Sequence, residues 1–218
     1  KNSYIFFIRN TMQFLSFPKG FQNAHITVNG KEYLDKALTK KKGVILVTGH
    51  FGVWEIMLAW FGLNQYSMLV VGQKQKNSGA DTFVNQLREN TGIKMIPRKS
   101  SLEFMYEALA RNNILTLASD QDAKKRGIFV KFFSLPASTP KGAGRFHLEY
   151  GSPLIFVTCH LERPNNHVLD ILPIPTDSNS NIASITQSFT LMLENIITAY
   201  PEQYFWFHRR WKTKQPQP

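Results

Sequence analysis

A single cysteine, Cys159, stands in 218 residues. An internal disulfide is therefore excluded, and the usage fits a reducing compartment. The local reading of Cys159 is a small buried hydrophobe on a strand. No apolar run reaches the roughly 18 residues that a membrane-crossing helix needs, and no secretory signal is visible. No repeat occurs and no linker-like composition shift interrupts the chain, so one domain over residues 1–218 is expected. No Gly-x-Ser-x-Gly signature is present, which argues against a serine acyl-enzyme. Carboxylates are scarce: 15 Asp+Glu stand against 26 Lys+Arg, a formal net charge of +11. That balance favours polyanionic partners such as phosphates or an anionic membrane surface. No nucleic-acid-binding signature accompanies it, so no nucleic acid is expected as partner.

Hydrophobic residues make up 43% of the chain, enough for a sizeable core, and 17 phenylalanines give it an aromatic bias. Residues Tyr4 to Phe17 predict an amphipathic helix within an N-terminal segment, 1–24, that lies in a membrane interface or caps the core. Strands and helices then alternate. Strands are predicted at His25–Val28, Val44–Thr48, Ser67–Val71, Ile93–Ile96 and Ile114–Ala118. Helices are predicted at Lys31–Leu38, Val53–Gly62, Ala80–Thr91 and Leu102–Arg111. Gly127–Leu135 reads as a strand or hairpin arm, and Pro136–Pro140 as a rigid loop. A helix over Lys141–Tyr150, strands at Leu154–Leu161 and Val168–Ile174, and a long helix over Asn181–Tyr200 complete the pattern. The fold class is α/β, a mostly parallel or mixed central sheet with helices on both faces. Ligands of such sheets bind beyond the strand carboxyl ends. His50, Gln73-Lys74 and Ser119-Asp120-Gln121-Asp122 all follow predicted strands and are expected in one cleft.

His50 and Glu55 form a His-x4-Glu spacing at a predicted strand-to-helix turn. Residues five apart on a continuous helix point about 140° away from each other, so the two meet only if His50 lies on the turn. There the carboxylate can hold one imidazole nitrogen while the other takes a proton from a hydroxyl. The helix N-terminus would favour the neutral ring. Alone, the spacing equally describes a surface or core histidine beside an unrelated glutamate.

Four ordered stretches add weight. They are Gly49-His50-Phe51-Gly52-Val53-Trp54-Glu55, Asp120-Gln121-Asp122, the pair Gly127–Phe133 and Pro136–Pro140, and the tail Pro201–Thr213. Together, from about Val28 to Lys214, the chain resembles the bacterial lipid A biosynthesis acyltransferases. That resemblance implies a glycerolphosphate-acyltransferase-like fold. It implies transfer of a fatty acyl chain from an acyl thioester, acyl carrier protein or acyl-CoA, to a hydroxyl of a glycolipid acceptor, a lipid A precursor. It implies His50 as general base assisted by Glu55, with no cofactor beyond the acyl thioester co-substrate, at the cytoplasmic face of the inner membrane. The chain starts at Lys1 rather than methionine, and a membrane helix of the family's kind is expected upstream. Where many family members carry an Arg-Pro pair after the next strand, Gln73 stands here, followed by Lys74 and Lys76.

Gln73, Lys74, Lys76, Arg98, Asp120, Asp122, Arg126 and Arg145 are the substrate-binding candidates. The cations suit phosphates or an acidic carrier protein. The aspartates suit loop contacts or an acceptor sugar, since two aspartates are a weak metal signal and no metal is expected. The aromatic and basic tail, Trp206 to Lys212, suits headgroup docking and equally suits packing back on the domain. Two other readings keep the fold: the same chemistry on a phosphatidylinositol mannoside, or a catalytically silent lipid-binding relative.

Overall fold

A computed structural model describes residues 1–22 and 24–216. The first half contains α1 (Asn2–Leu15), α2 (Lys19–Gln22), β1 (His25–Asn29), α3 (Lys31–Leu38), β2 (Val44–Thr48), α4 (Trp54–Leu63), β3 (Met68–Gly72), α5 (Ser78–Glu89) and β4 (Lys94–Pro97). Then come α6 (Leu102–Ala110), β5 (Ile114–Ala118), β6 (Ile128–Phe132), β7 (Leu135–Thr139), α7 (Gly142–Tyr150), β8 (Leu154–Arg163), β9 (Asn166–Pro173) and α8 (Ile182–Ala199). Seven strands form one sheet in the order β1-β9-β8-β2-β5-β3-β4. Strands β8, β2, β5, β3 and β4 run parallel. β9 is antiparallel to β8, and β1 runs parallel to β9. The α/β class expected from the alternation is the one observed.

β2 shows why the sheet lies at the centre. All five of its residues are buried, and successive side chains point to opposite faces. Ile45 and Val47 pack with Met105 of α6, Phe146 of α7 and Phe189 of α8. Val44 and Leu46 pack on the other side with Leu34 of α3 and Met57 and Phe61 of α4. A strand covered on both faces needs a continuous apolar run rather than an alternating one, which is what Val44–Leu46 and Val47 provide. α4 is buried from Glu55 to Gly62, as an all-round apolar helix must be.

The stretch expected as a rigid loop is a strand instead. β7 pairs antiparallel with β6, Pro136 opposite Lys131, in a separate two-stranded ribbon. Phe133 and Ser134 make the tight turn, both with positive φ, as two-residue hairpins require. Lys131 turns its backbone N–H and C=O away from Pro136 to the Gln187 side chain, at 2.8 and 3.0 Å. Proline's missing N–H therefore leaves no ladder bond unmade. Helix starts moved slightly: α5 begins at Ser78, capped by Asn77 accepting from the Ala80 N–H.

The β2–α4 connection turns at Gly52, with φ of +63°. A β-carbon there would sit 1.9 Å from the Cys159 carbonyl oxygen of β8. Cys159 itself is buried, and burial pushes its thiol pKa up. The expected outcome of Gly52→Ala is a loss of about 2 kcal/mol or more, from strain and backbone collision together. Urea denaturation monitored by circular dichroism checks it.

Candidate active site

The register between β2 and β5 ends at Thr48 opposite Ala118. Continued for one more side-chain repeat, it brings His50 beside Asp120 at the carboxyl end of the sheet. Their side chains meet, His50 Nδ1 to Asp120 Oδ1 at 2.8 Å. An ionised carboxylate only accepts, so Nδ1 carries the proton and donates, leaving the Nε2 lone pair outward. Nε2 has no hydrogen-bond partner among the described residues, and the His50 side chain is 30% exposed against 2% for Asp120. Burial by itself lowers the His50 pKa, but the charge and hydrogen bond of Asp120 outweigh it and leave the ring above its ordinary value. Burial pushes Asp120 up, and the His50 contact more than reverses this, holding it below the usual carboxylate range. The helix N-terminus was expected to favour the neutral ring; the Asp120 carboxylate, far closer, decides the opposite direction.

Glu55 does not reach His50 by hydrogen bond. Its Oε1 accepts from Arg88 Nη2 at 2.6 Å and from Trp54 Nε1 at 3.0 Å, and its Oε2 accepts from Arg88 Nε at 3.0 Å. The reason is geometric: α4 starts at Trp54, so Glu55 already points along the helix toward α5 rather than back to the turn. The fork of Arg88 on α5 fits a carboxylate with two parallel bonds. Glu55 acts on His50 through space, raising its pKa, and Arg88 opposes that. It also fixes the Trp54 indole, which packs edge-on to the His50 ring at 5.5 Å.

The loop carrying His50 is tied to distant parts of the chain. The Phe205 N–H donates to the His50 carbonyl at 3.0 Å, the Gly52 N–H to the Gln203 carbonyl at 2.8 Å, and the Val53 N–H to the Cys159 carbonyl at 2.8 Å. Gln203 is buried, and its side-chain amide bonds both the N–H and the C=O of Leu161, at 2.9 and 2.7 Å. The tail thus packs back on the domain, with Tyr204 and Arg210 buried while Trp206 and Phe207 stay exposed. Burial, then Asp120, pushes the Tyr204 phenol pKa up.

The remaining candidates divide. Asp122 lies at the same sheet end but faces the tail: its Oδ2 accepts from Thr213 Oγ1 at 2.8 Å and its N–H donates to His208 Nε2 at 2.9 Å. Gln73, Lys74 and Lys76, on the loop after β3, and Arg98, after β4, are exposed at that end. Arg126, beyond β5, is exposed with Lys124 and Lys125. None of these cations has a carboxylate partner among the described residues. Arg145 is not in the cleft; it pairs with Glu149 one turn on, at 2.8 Å, on the outside of α7. A turn-spaced pair on an exposed helix face satisfies it locally.

Three residues with structural leverage on the site escaped the sequence reading. Arg88, on α5, holds the Glu55 carboxylate with two hydrogen bonds. Arg210 is 2% exposed and donates to the Ser138 carbonyl at 2.7 Å and to Thr139 Oγ1. Burial lowers its pKa. Asn10, buried in α1, donates to the Gly52 carbonyl at 2.9 Å. The Asp-Gln-Asp position after β5 was a usable signal for Asp120 as partner of His50, but only with the strand order in hand. Behind Asp120 lies a cavity of about 10 Å³ lined by Thr48, Ser119, Phe156, Thr190 and Arg210, too small for a substrate. A shallow apolar groove of about 330 Å³ runs instead between α1 and the tail, lined by Tyr4, Phe7, Ile8, Thr11, Met12 and Phe207. Phe7 connects it to the site by packing on Trp54 and Phe205, at 5.2 and 4.7 Å.

Comparison with known proteins agrees with the reading of the motifs. Over 213 residues the chain is 22% identical to a phosphatidylinositol mannoside acyltransferase of Mycolicibacterium smegmatis, covering 96% of this chain and 70% of that protein. It is 28% identical over 191 residues to the lipid A biosynthesis lauroyltransferase of Escherichia coli, covering 86% of this chain and 62% of that enzyme. It is also 28% identical to the Escherichia coli lipid A biosynthesis palmitoleoyltransferase, covering 86% of this chain and 61% of that enzyme. The chain therefore spans between 61% and 70% of the length of these relatives. The profile of the bacterial lipid A biosynthesis acyltransferases matches residues 2–213, and the chain belongs to that family.

Proposed function

We propose that this chain transfers a fatty acyl group from an acyl thioester to a hydroxyl of a lipid A precursor, with His50 as general base. The observation that carries the reading is the His50–Asp120 pair at the open end of the sheet, its Nε2 outward. His50 Nε2 takes the proton of the acceptor hydroxyl as that oxygen attacks the thioester carbonyl. The tetrahedral intermediate collapses, the carbon–sulfur bond breaks, and the imidazolium returns its proton to the departing thiolate. Asp120 holds the ring in the required tautomer and balances the positive charge that forms on it. Glu55 serves by clamping Arg88 and Trp54 around the ring rather than by touching it. No protein acyl intermediate is needed.

The exposed cations beyond β3, β4 and β5 support anionic partners at this mouth. Gln73, Lys74 and Lys76, exposed on the loop after β3, would supply donors for the developing oxyanion. Arg98 and Arg126 suit the phosphates of the acceptor, or the acidic face of acyl carrier protein or the phosphates of acyl-CoA. Among the described residues no helix is long and apolar enough to cross a membrane. Tyr4, Ile8 and Met12 are nonetheless each more than 60% exposed on α1. With the +11 charge, that face supports work at an anionic lipid surface, the cytoplasmic face of the inner membrane. A second acceptor, a phosphatidylinositol mannoside, is favoured by the relative that spans 96% of this chain.

His50→Ala is expected to abolish acyl transfer with the circular dichroism spectrum retained; turnover at the native rate would remove His50 as base. A protonated His50 cannot accept a proton, so the rate should fall as pH drops through a His50 pKa above 6.5. Asp120→Asn should move that limb to lower pH and cut kcat by about 10²–10⁴-fold, measured as a pH–rate profile. Glu55→Gln should behave differently, leaving the half-buried Arg88 without its charged partner and costing about 1–3 kcal/mol of stability. Its pH limb should move toward lower pH by less than that of Asp120→Asn, because Glu55 acts on the ring only through space while Arg88 is left to lower its pKa, and a denaturation curve beside the pH profile separates the two carboxylates. Mass spectrometry of products formed from a lipid A precursor and a phosphatidylinositol mannoside, each with acyl carrier protein and acyl-CoA donors, identifies acceptor and donor. No acylated product in any of the four combinations would defeat the acyltransferase reading.

A further inference from the structure

α1 buries Phe14 as a surface helix would, but departs from that arrangement at other positions. It leaves Tyr4, Ile8 and Met12 exposed at 61%, 64% and 63%, yet buries Asn10 at 6%. A buried amide is costly unless it is hydrogen-bonded. Asn10 Nδ2 finds its acceptor 42 residues away, at the Gly52 carbonyl, 2.9 Å distant. Gly52 stands two residues after His50, on the turn already pinned by its +63° φ against Cys159. The other ties of this turn, to Phe205, Gln203 and Cys159, run between backbone groups. Among the described residues, the Gly52 carbonyl is the backbone group of this turn that relies on a side chain. One helical turn before Asn10, Phe7 packs on Trp54 and Phe205, and both of these flank the His50 ring, at 5.5 and 6.0 Å. Ser3 Oγ, farther along α1, donates to the Tyr204 carbonyl at 3.0 Å. α1 therefore grips the turn, the aromatic wall and the tail segment at once.

We propose that Asn10 is a positioning residue for His50: by holding the Gly52 carbonyl it fixes the turn on which the base is carried, making α1 part of the active-site framework rather than a cover on the core. The proposal rests on the acyl-transfer reading for its kinetic test. Without Asn10 the Gly52–Val53 peptide is held on its N–H side alone, by the Cys159 carbonyl, and the loosened turn lets His50 shift relative to Asp120 and the acceptor. A displacement near 1 Å at a reacting group costs on the order of 10²-fold in rate.

Asn10→Ser is the informative variant. A serine within a helix satisfies its own hydroxyl on the preceding turn, so the fold is kept while the reach to Gly52 is lost. The expected result is a fall in kcat of about 10- to 100-fold, KM for both substrates within about twofold of native, and partial recovery in Asn10→Gln, which restores an amide donor. The ¹⁵N-resolved titration of the His50 ring should also differ from native in the serine variant. If Asn10 only anchors α1, the serine variant melts earlier but keeps native kcat and a native His50 titration, and that result overturns the proposal. If the serine variant does not fold, Asn10→Ala, which also lacks the donor to Gly52, takes its place: lowered kcat with an altered His50 titration supports the proposal, and native values of both overturn it. A wild-type protein without acyl-transfer activity would sink the functional reading instead, and the His50 titration of the variants would still decide the role of Asn10.

Discussion

The hydrogen bond from His50 to Asp120 exists because β2 and β5 are neighbouring parallel strands in a fixed register. Neither side chain lies on a regular element. Each emerges two residues beyond its strand, and the pairing of Thr48 with Ala118 sets how far apart they stand. A slip of one residue would turn one of them to the other face of the sheet. The register is in turn held by the burial of β2 on both faces, where Ile45 and Val47 fill one core and Val44 and Leu46 the other. The chemistry at the mouth is thus specified by apolar packing well below it.

Around that bond the charges are sorted by depth. Asp120 is enclosed and balanced by the imidazole; Glu55 is enclosed and balanced by Arg88. The lysines and arginines beyond β3, β4 and β5 remain in water at the rim. Buried ion pairs contribute little net stability because desolvation offsets their attraction, so their value here lies in geometry. Arg88 holds Glu55 and, through it, Trp54 against the ring. At the rim the cations, without carboxylate partners among the described residues, keep their long-range field.

Much of this was legible in the chain. Alternating strands and helices, with a continuous apolar run at Val44–Thr48, led directly to a covered parallel sheet. His50 stood out because a strand, a turn and a helix start fall around it within a few residues. What could not be read was which carboxylate it meets. Spacing along the chain favoured Glu55, five residues away; the sheet order β2-β5-β3 brings Asp120, 70 residues away, closer. Strand order is a property of long-range packing and leaves no local trace. The Pro136–Pro140 stretch misled for a related reason, since proline is tolerated where its backbone nitrogen faces away from the ladder, and that depends on Gln187 of α8. Asn10 was invisible because one asparagine in an amphipathic stretch looks like part of its polar face.

The ties on the His50 turn carry a consequence for synthesis. A ribosome releases His50 and Asp120 while Gln203 and Phe205 are still unmade. At that stage the sheet from β2 to β5 has its strands, yet the Gly52 N–H and the His50 carbonyl have no backbone partners from Gln203 and Phe205. The nascent chain thus holds His50 and Asp120 before the turn between β2 and α4 is tied. Completion of the tail is the step that ties the His50 turn, so the geometry around His50 is set only after the last strand and helix have been made.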